Sequence, residues 1–287
     1  MTNSTMAVNA DPYFLNGRTP RLQLRHISKS FGGVQALKEV DFEVCDGEVV
    51  GLVGDNGAGK STLIKVMSGA YIPDIGEIRL DDQPVTITSP QDSTRLGIET
   101  VYQDLALCDN LDVVANLWLG REAYRNLIPG VLRTLDETEM ERRTIEVLRT
   151  LDVKIPSVRL PVASLSGGQR QCIAVAKTIL RNPKVVLLDE PTAALGVAQT
   201  RQVLNLVKRL KERGLAVVVI SHNLHDVFEV TDRIIVMRLG QRIRTFETRN
   251  TESDRVVAAI TGSDAHSYAE AMPHADNAHS NPPHSGQ

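Results

Sequence analysis

A glycine-rich segment with a fixed spacing is the strongest constraint that this sequence places on its fold. Residues 54–62 read GDNGAGKST, which satisfies G-x-x-x-x-G-K-[ST], and they stand between an aliphatic run at residues 49–53 and a helical segment at residues 62–67. Glycines let backbone N–H groups and a helix N-terminus close around a polyphosphate, whose negative charge the Lys60 ammonium also meets. The Ser61 hydroxyl is placed to ligand a Mg²⁺ ion that bridges the β and γ phosphates.

Two adjacent carboxylates follow a second aliphatic run. Residues 185–188 (VVLL) are typical of a strand that is buried on both faces, and Asp189 and Glu190 follow directly. Ligands of open α/β sheets bind at the carboxyl ends of such strands. Because successive strand side chains point to opposite faces, the two acids need separate roles. We expect Asp189 to hold the Mg²⁺ ion and Glu190 to polarise an attacking water.

Kinases, GTPases, helicases and motor ATPases share these two signals, and a third segment separates the classes. The sequence LSGGQ at residues 165–169 precedes an apolar stripe, so it forms a small polar loop at the N-terminus of an amphipathic helix. Such a loop offers a second anion-binding helix end. With this segment, the chain strongly resembles the ATP-binding-cassette (ABC) family, whose signature motif is LSGGQ, over about residues 21–262.

Three further residues match motifs of the ABC family, in the order and spacing of the family. Gln103 in VYQD matches the Q-loop, His222 in ISHN matches the switch histidine, and Phe31 stands where the family has an aromatic residue that stacks on adenine. Each alone would more often have an ordinary structural role, but their joint occurrence favours the functional one. One position departs from the family, because Gly196 stands where the family usually has the aspartate of Ala-Leu-Asp.

The resemblance implies an α/β fold, which is a P-loop NTPase core of the RecA-like type with an antiparallel β subdomain and a helical subdomain at about residues 105–180. It implies ATP and Mg²⁺ as ligands. The implied catalytic residues are Lys60, Gln103, Glu190 and His222. The implied metal ligands are Ser61, Gln103 and Asp189. The implied nucleotide-binding residues are Phe31, Gly54, Asp55, Asn56, Gly57, Ala58, Gly59, Lys60, Ser61, Thr62, Ser166, Gly167, Gly168 and Gln169.

The pattern along the chain predicts one domain, residues 21–262, between two flexible tails. Residues 1–20 lack periodicity, and residues 263–287 are rich in Ser, Ala, Asn, Pro and His without a regular metal-ligand spacing. Alternation of apolar residues predicts antiparallel strands near the start of the domain, whereas short aliphatic runs predict parallel ones. No strand pattern occurs between residues 105 and 180, and a helix is predicted over residues 134–152.

Composition excludes several classes of protein. The 287 residues are 42% hydrophobic, which suffices for a sizeable core, and the net charge of -3 gives no positive field for holding nucleic acid. The sequence has no signal-peptide pattern and no apolar stretch of transmembrane length. The three cysteines, Cys45, Cys108 and Cys172, lie far apart and are predicted to be reduced packing residues.

The resemblance also implies partners. In the ABC arrangement, the signature loop of one subunit covers the γ-phosphate bound by another, so we expect a C2 homodimer with two composite sites. A chain without a membrane span would energise a separate permease, touched by residues around 103–120, at the cytoplasmic face of the inner membrane, with a substrate-binding protein as an indirect partner. Residues 103–107, 116–122 and 256–262 are similar to the branch that imports ribose, xylose or fructose.

Two other functions would fit parts of this sequence. A soluble ABC ATPase that acts on ribosomes or nucleic acid would be expected to have tandem cassettes, a long coiled-coil insertion or a basic patch, and the sequence has none of these. A small-molecule kinase would leave the signature loop and His222 unexplained. The sequence therefore favours the ATPase subunit of an importer, with a monosaccharide as the favoured cargo.

Overall fold

A computed structural model describes residues 18–128 and 132–263 of the chain. The predicted flexible tails fall almost wholly outside these residues, although the first strand already begins at Pro20. Within the described ranges, no helix is both long enough and apolar enough to cross a membrane. Two main sheets and a set of helices make up the fold, and the larger sheet carries the candidate site.

The central sheet has six strands in the order β12-β11-β3-β10-β9-β6. All neighbouring strands in it are parallel except β12, which pairs antiparallel with β11. The strands are β3 (Val49–Val53), β6 (Ile98–Val101), β9 (Val185–Asp189), β10 (Ala216–Ile220), β11 (Arg233–Arg238) and β12 (Gln241–Glu247). Parallel strands need crossover connections, which the helices between them supply.

Helices and the antiparallel sheet cover the two faces of the central sheet. Alternate residues of β9 show this, because Val186 and Leu188 belong to the core on the helical side, whereas Val185 and Leu187 pack on the other side. All four side chains are fully buried. An aliphatic run without alternation is therefore the expected sequence of such a strand.

The second sheet has four antiparallel strands in the order β2-β1-β4-β5. They are β1 (Pro20–Phe31), β2 (Val34–Cys45), β4 (Ile75–Leu80) and β5 (Gln83–Val85). The predicted turn at residues 81–82 joins β4 to β5, and Ile78 lies opposite Val85. The alternation of Leu22 and Leu24 is explained by their burial in the core beneath this sheet.

Eight α-helices complete the described part of the chain. They are α1 (Lys60–Met67), α2 (Pro90–Leu96), α3 (Val113–Trp118), α4 (Glu137–Thr150), α5 (Gly167–Ile179), α6 (Val197–Glu212), α7 (Leu224–Val230) and α8 (Ser253–Thr261). Helices α3, α4 and α5 pack on one another and on the central sheet in one hydrophobic cluster. The predicted fold class, a P-loop core with an antiparallel β subdomain and a helical subdomain, is confirmed.

The segment between α3 and α4 differs from the sequence-based prediction. A hairpin of β7 (Tyr124–Ile128) and β8 (Leu132–Leu135) occupies part of the region in which no strand was expected. Tyr124 and Leu135 lie opposite each other and are 59% and 42% exposed. Because both apolar side chains at this pair face solvent, the hairpin lacks the buried-exposed alternation that reveals a strand. Helix α4 consequently begins at Glu137, with Asp136 as its N-cap, and not at residue 134.

The three cysteines are free thiols, as predicted. Cys45 and Cys172 are buried, and Cys108 is half-buried. Burial raises the pKa of the Cys172 thiol to about 12. A thiol that stays protonated at neutral pH is a poor nucleophile and a poor metal ligand, so Cys172 acts as an apolar packing residue.

Candidate functional site

Four neighbouring strands of the central sheet end at the same edge, and each is followed by one of the predicted site segments. In the register of the sheet, Ile220 lies beside both Leu52 and Asp189, and Val101 lies beside Leu188. The glycine-rich loop, Asp189 with Glu190, His222 and Gln103 therefore follow directly from one row of strand ends. This edge is where an open α/β sheet binds its ligands.

The loop between β3 and α1 requires glycine at its two ends. Gly54 has φ +149°, and a Cβ atom there would lie 2.1 Å from the Met237 carbonyl oxygen. Gly59 has φ +101°, and a Cβ atom there would lie 2.8 Å from the Ala36 carbonyl oxygen. Both the backbone angles and the close backbone contacts exclude other residues. The invariant glycines of the pattern thus have a steric cause here.

Lys60 is the first residue of α1, and its ammonium group is held inside the loop. Its Nζ atom donates hydrogen bonds to the carbonyl oxygens of Gly54, at 2.6 Å, and Asp55, at 2.9 Å. Burial lowers the pKa of this ammonium, while the charges of Glu190, Asp55 and Asp189 oppose that change. The cation therefore sits among carboxylates at the sheet edge and can exchange two carbonyl partners for phosphate oxygens.

The two carboxylates after β9 differ in environment. Burial, and then the charge of Glu190, raise the pKa of Asp189, while Lys65 and Lys60 lower it. Glu190 has φ +51°, which is uncommon for a residue with a side chain, and its N–H donates to the Ile220 carbonyl at 3.0 Å. A strained backbone of this kind persists only where its surroundings hold it in place.

His222 follows β10 and faces Glu190. Its Nδ1 atom lies 2.8 Å from Glu190 Oε2, and the imidazole is 74% exposed. Glu190 Oε2 is buried and makes no hydrogen bond of proper geometry within the described part of the chain, so the contact with His222 is one of proximity. A carboxylate oxygen that is sheltered from solvent and not saturated by protein donors can accept a bond from water.

Gln103 follows one strand of this edge, whereas Phe31 belongs to the antiparallel sheet. Gln103 is exposed, two residues beyond β6. Phe31 ends β1, is 42% exposed and packs edge-to-face on Tyr71, with ring centroids 5.0 Å apart. The Lys29 Nζ atom lies 5.6 Å from the Phe31 ring centroid. Tyr71 had no recognisable motif in the sequence, because its link to Phe31 exists only after β1 and the segment beyond α1 come together.

The signature segment is built as the capped N-terminus of α5. Ser166 Oγ accepts from the Gln169 N–H at 3.3 Å, and Gln169 Oε1 accepts from the Ser166 N–H at 3.0 Å, which together form a capping box. A Cβ atom at Gly168 would lie 2.8 Å from Gln199 Cβ, so α5 and α6 meet at this glycine. The hydrogen bonds of this segment stay within the helical subdomain, where Gln169 Nε2 also reaches the Lys154 carbonyl.

Comparison with known proteins decides the family. The ABC transporter family matches residues 37–193. The fructose import ATP-binding protein FrcA of Rhizobium meliloti is 45% identical, over 85% of this chain and 94% of that protein. The xylose/arabinose import ATP-binding protein XylG of Sulfolobus acidocaldarius is 42% identical, over 84% of this chain and 93% of that protein. The chain belongs to the ABC transporter family.

Further ABC proteins extend the comparison. Ribose import ATP-binding protein RbsA 1 of Rubrobacter xylanophilus is 45% identical, and the match covers 78% of this chain but 44% of that protein. A nucleotide-free ATP-binding cassette from an ABC transporter superposes with a TM-score of 0.71 at 26% identity, over 85% of this chain and 96% of that one. A dimeric cassette bound to ADP and Pi, in a post-hydrolysis state, gives a TM-score of 0.65 at 27% identity, over 80% and 100%. The ATP-binding and ATPase character expected from the sequence is thereby confirmed.

Gly196, which departs from the pattern of the ABC family, lies at the start of helix α6. Gly196 is the N-cap of α6, with φ -75° and ψ 163°, and it provides no side-chain cap. Gln199 compensates in part, because its Oε1 atom accepts from the Gly196 N–H at 3.3 Å. A Cβ atom at Gly196 would have open space around it. The glycine is therefore not required by backbone angle or by packing.

Proposed function

We propose that this ABC ATPase binds ATP with Mg²⁺ and hydrolyses it at the carboxyl edge of the central sheet. One observation carries the proposal, namely that Lys60, Asp189, Glu190 and His222 come from three neighbouring strands and lie within electrostatic reach of one another. Phosphoryl transfer depends mainly on positioning and charge stabilisation. A fixed cation, two carboxylates and an exposed imidazole supply both.

The residues at the edge fit a Mg²⁺ ion. Asp189 is a half-buried carboxylate whose pKa is raised by burial and then by the charge of Glu190. The Ser61 side chain is exposed at the start of α1. Carboxylate and hydroxyl oxygens are ligands that Mg²⁺ prefers, and the ion supplies charge neutralisation of the phosphates when bound. Asp189 and Ser61, with Gln103 as a third candidate, are the residues that would hold it.

The proposed roles of the other side chains follow from their environments. Lys60 leaves the carbonyls of Gly54 and Asp55 and donates to the phosphates. Glu190 orients the attacking water with its buried Oε2 atom, which has acceptor capacity to spare. His222 is exposed enough to turn from Glu190 toward a γ-phosphate. Phe31 offers an exposed ring to the adenine base.

The experiment that tests this site is Glu190→Gln. The amide keeps the size of the side chain but is a poor base, so ATP binding is retained while kcat falls by about 10²- to 10³-fold, the loss typical of one essential electrostatic group. Lys60→Ala is the matched variant, in which ATP binding itself is lost. Hydrolysis by Glu190→Gln near the parent rate would contradict the role of Glu190.

We further propose that ATP hydrolysis by this chain energises the import of a monosaccharide. Support comes from the 45% and 42% identity to the fructose and xylose/arabinose import proteins, in each case over more than nine-tenths of that protein. In this proposal two copies of the chain form a homodimer with composite sites. The structural similarity of the chain to a dimeric ATP-binding cassette supports this arrangement. The dimer binds a permease at the cytoplasmic face of the membrane, and a substrate-binding protein delivers the sugar.

A groove beside the central site suits a contact with an acidic permease segment. A cavity of about 120 Å³ between the residues after β6 and α5 is lined in part by Glu99, Asp104, Lys177 and Arg181. Burial, and then the charge of Arg181, lower the pKa of the neighbouring Arg121 guanidinium to about 10. Burial and the charges of Arg121 and Arg181 also lower the pKa of Lys177. An acidic side chain from the permease would relieve this crowding of cations.

Co-expression with the membrane permease that this proposal requires tests transport and docking together. The two proteins are expected to co-purify, and proteoliposomes that contain them should take up one labelled monosaccharide only when ATP is inside with the cassette. Lys177→Glu should weaken co-purification without abolishing ATP binding, whereas Lys208→Glu, on the exposed face of α6, should not. Recovery of the chain on ribosomes without a permease would overturn the transport proposal.

A further inference from the structure

A buried hydrogen bond joins the two loops that carry Glu190 and His222. Thr192 lies two residues after Glu190, and Asp226 lies four residues after His222, in the first turn of α7. The Thr192 Oγ1 hydroxyl donates to Asp226 Oδ2 at 2.7 Å. Thr192 is 9% exposed and Asp226 is 5% exposed. Neither residue belongs to a motif that the sequence had singled out for chemistry.

We propose that Thr192 and Asp226 are a positioning pair that fixes the separation of Glu190 and His222 and thereby sets the rate of the hydrolytic step. This inference rests on the proposed roles of Glu190 and His222 in ATP hydrolysis. Neither Thr192 nor Asp226 is assigned a contact with nucleotide, so both would act only through their neighbours.

The loop after β9 has a strained backbone that must be held in place by contacts with the rest of the protein. Glu190 and Ala194 both have positive φ, at +51° and +58°. The loop that contains Thr192 therefore has a strained residue at each end. Three backbone hydrogen bonds hold the loop, because the Glu190 N–H donates to the Ile220 carbonyl at 3.0 Å, the Ala193 N–H to the Glu190 carbonyl at 3.1 Å and the Leu195 N–H to the Thr192 carbonyl at 3.3 Å. Only the first of these reaches another strand. The Thr192–Asp226 bond adds a side-chain tie from the same loop to α7.

The loop after β10 is held by hydrogen bonds at the start of α7. The Asn223 N–H donates to Ser221 Oγ at 3.0 Å, and Asn223 Oδ1 accepts from the His225 N–H at 3.1 Å, so the start of α7 is internally ordered. His222 itself lies between these residues with an exposed imidazole. A displacement of α7 relative to β9 would therefore carry His222 away from Glu190 while leaving both loops locally intact.

The ordinary alternative is that Asp226 only stabilises the fold. An acidic residue in the first turn of a helix interacts favourably with the helix dipole, and His225 Nδ1 lies 3.9 Å from Asp226 Oδ1. However, burying a carboxylate that has one neutral hydrogen-bond donor costs folding free energy, which offsets the favourable interaction with the helix dipole. Stability and positioning make different predictions for the kinetic constants, because a loop fastened at the wrong distance still binds ATP.

The test compares substitutions at Thr192 that differ only in the hydroxyl group. Thr192→Val keeps the shape and removes the donor, and we expect kcat for ATP hydrolysis to fall at least ten-fold while KM for ATP changes less than about two-fold. Thr192→Ser keeps the donor and should restore at least half of the parent kcat. Equilibrium binding of a fluorescent ATP analogue should be unchanged in both.

Each further outcome decides between the possibilities. If Thr192→Val does not fold, Asp226→Ala, which removes the acceptor instead, carries the same expectation, and failure of both to fold would overturn positioning in favour of a purely structural role. Parent-like kcat in folded Thr192→Val would overturn it as well. Glu190→Gln separates this inference from the proposed site: if that variant is inactive and Thr192→Val is not, the pair alone is refuted, whereas an active Glu190→Gln refutes the site on which the pair depends.

Discussion

At the scale of one residue, the environment of Asp189 bears on its proposed role as a cation ligand. Its carboxylate is half-buried beside Glu190, and both features raise its pKa. The ionised form therefore costs folding free energy at neutral pH, and this cost disappears as the pH falls through the raised pKa and the group binds a proton. In the proposed site, a bound metal ion would compensate the Asp189 charge as a proton does, so the charge would be favourable only in the complex.

Asp189→Asn should separate stability from cation binding. Without nucleotide at neutral pH, we expect Tm to rise by about 1–3 °C because the buried charge is gone. The difference should shrink at low pH, where the parent carboxyl is protonated, and it should reverse when Mg²⁺ and ATP are added, because only the parent gains from them. Thermal unfolding under these three conditions measures the effect.

Asp104→Asn serves as the control for this comparison, because Asp104 is an exposed carboxylate three residues beyond the end of the neighbouring strand β6. It should change Tm by less than Asp189→Asn and should keep the stabilisation by Mg²⁺ and ATP. A lower Tm of Asp189→Asn in the absence of nucleotide would show that Asp189 is a structural anchor instead of a prepared ligand.

Helix α6 illustrates at the scale of an element how a residue that departs from the family affects a helix end. Gly196 occupies the N-cap without a side-chain acceptor, and Gln199 bonds back to the Gly196 N–H. The first-turn amides of α6 therefore lack the side-chain acceptor that an aspartate in the family's Ala-Leu-Asp would provide. The same helix contacts the signature segment, because Gln199 in its first turn lies against Gly168.

Gly196→Asp is expected to stabilise the protein slightly. The new carboxylate can accept from the first-turn amides, and replacing glycine at an N-cap with aspartate is worth a few tenths of a kcal/mol, or about 1 °C in Tm. Gly196→Ala, which adds a Cβ atom but no acceptor, should instead lower Tm. Equal effects of the two substitutions, measured by thermal unfolding, would contradict the capping explanation.

Arg233 shows at the element scale how strands of the two sheets are tied together. It lies in β11 with 3% exposure, and its guanidinium contacts Glu48 at 2.5 Å and Glu43 of β2 at 3.0 Å. Arg242 of β12 also contacts Glu43, at 2.8 Å. Buried charges of this kind are tolerated because each finds a partner, and removal of one partner leaves the others uncompensated.

Arg233→Met should therefore lower the free energy of unfolding by about 3–5 kcal/mol, the usual loss when one member of a buried ion pair is removed. Urea denaturation measures it. Arg209→Met is the matched control, because Arg209 pairs with Asp152 at 2.6 Å on the exposed surface, where such pairs are worth about 0–1 kcal/mol. A loss below about 1 kcal/mol for Arg233→Met would mean that the two glutamates find other partners.

The whole molecule holds the two halves of the proposed composite site on different subdomains. The glycine-rich loop starts α1 at the edge of the central sheet, whereas the signature segment caps α5 and bonds within the helical subdomain. If the site is completed by a second copy, two chains with different defects can share one intact site. A defect in both halves of one site leaves the other site whole.

Mixing Lys60→Met with Ser166→Arg should therefore restore activity. Each variant alone is expected to form dimers in which both sites are defective, so ATP hydrolysis is nearly absent. In the mixed dimer, the intact glycine-rich loop of one chain meets the intact signature segment of the other. Steady-state ATPase activity should recover to a measurable fraction of the parent value, and an equal mixture without recovery would argue against shared sites.

The sequence by itself determined the local chemistry of this ABC ATPase. The glycine-rich loop, the acids after β9 and the LSGGQ segment are each contiguous, and the angles and caps that they need arise within a few residues, as Gly54 and Ser166 show. The aliphatic runs likewise predicted parallel strands, because a strand that is buried on both faces needs apolar residues at every position. Identification of the family needed no more than these segments.

The tertiary structure alone decided which distant residues meet. Tyr71 against Phe31, Arg233 among two glutamates and Thr192 on Asp226 each join separate elements, and no spacing along the chain encodes such contacts. The β7–β8 hairpin escaped prediction because its apolar pair Tyr124 and Leu135 faces solvent. Patterns report burial relative to one element, whereas pairing between elements depends on how the sheets and helices pack together.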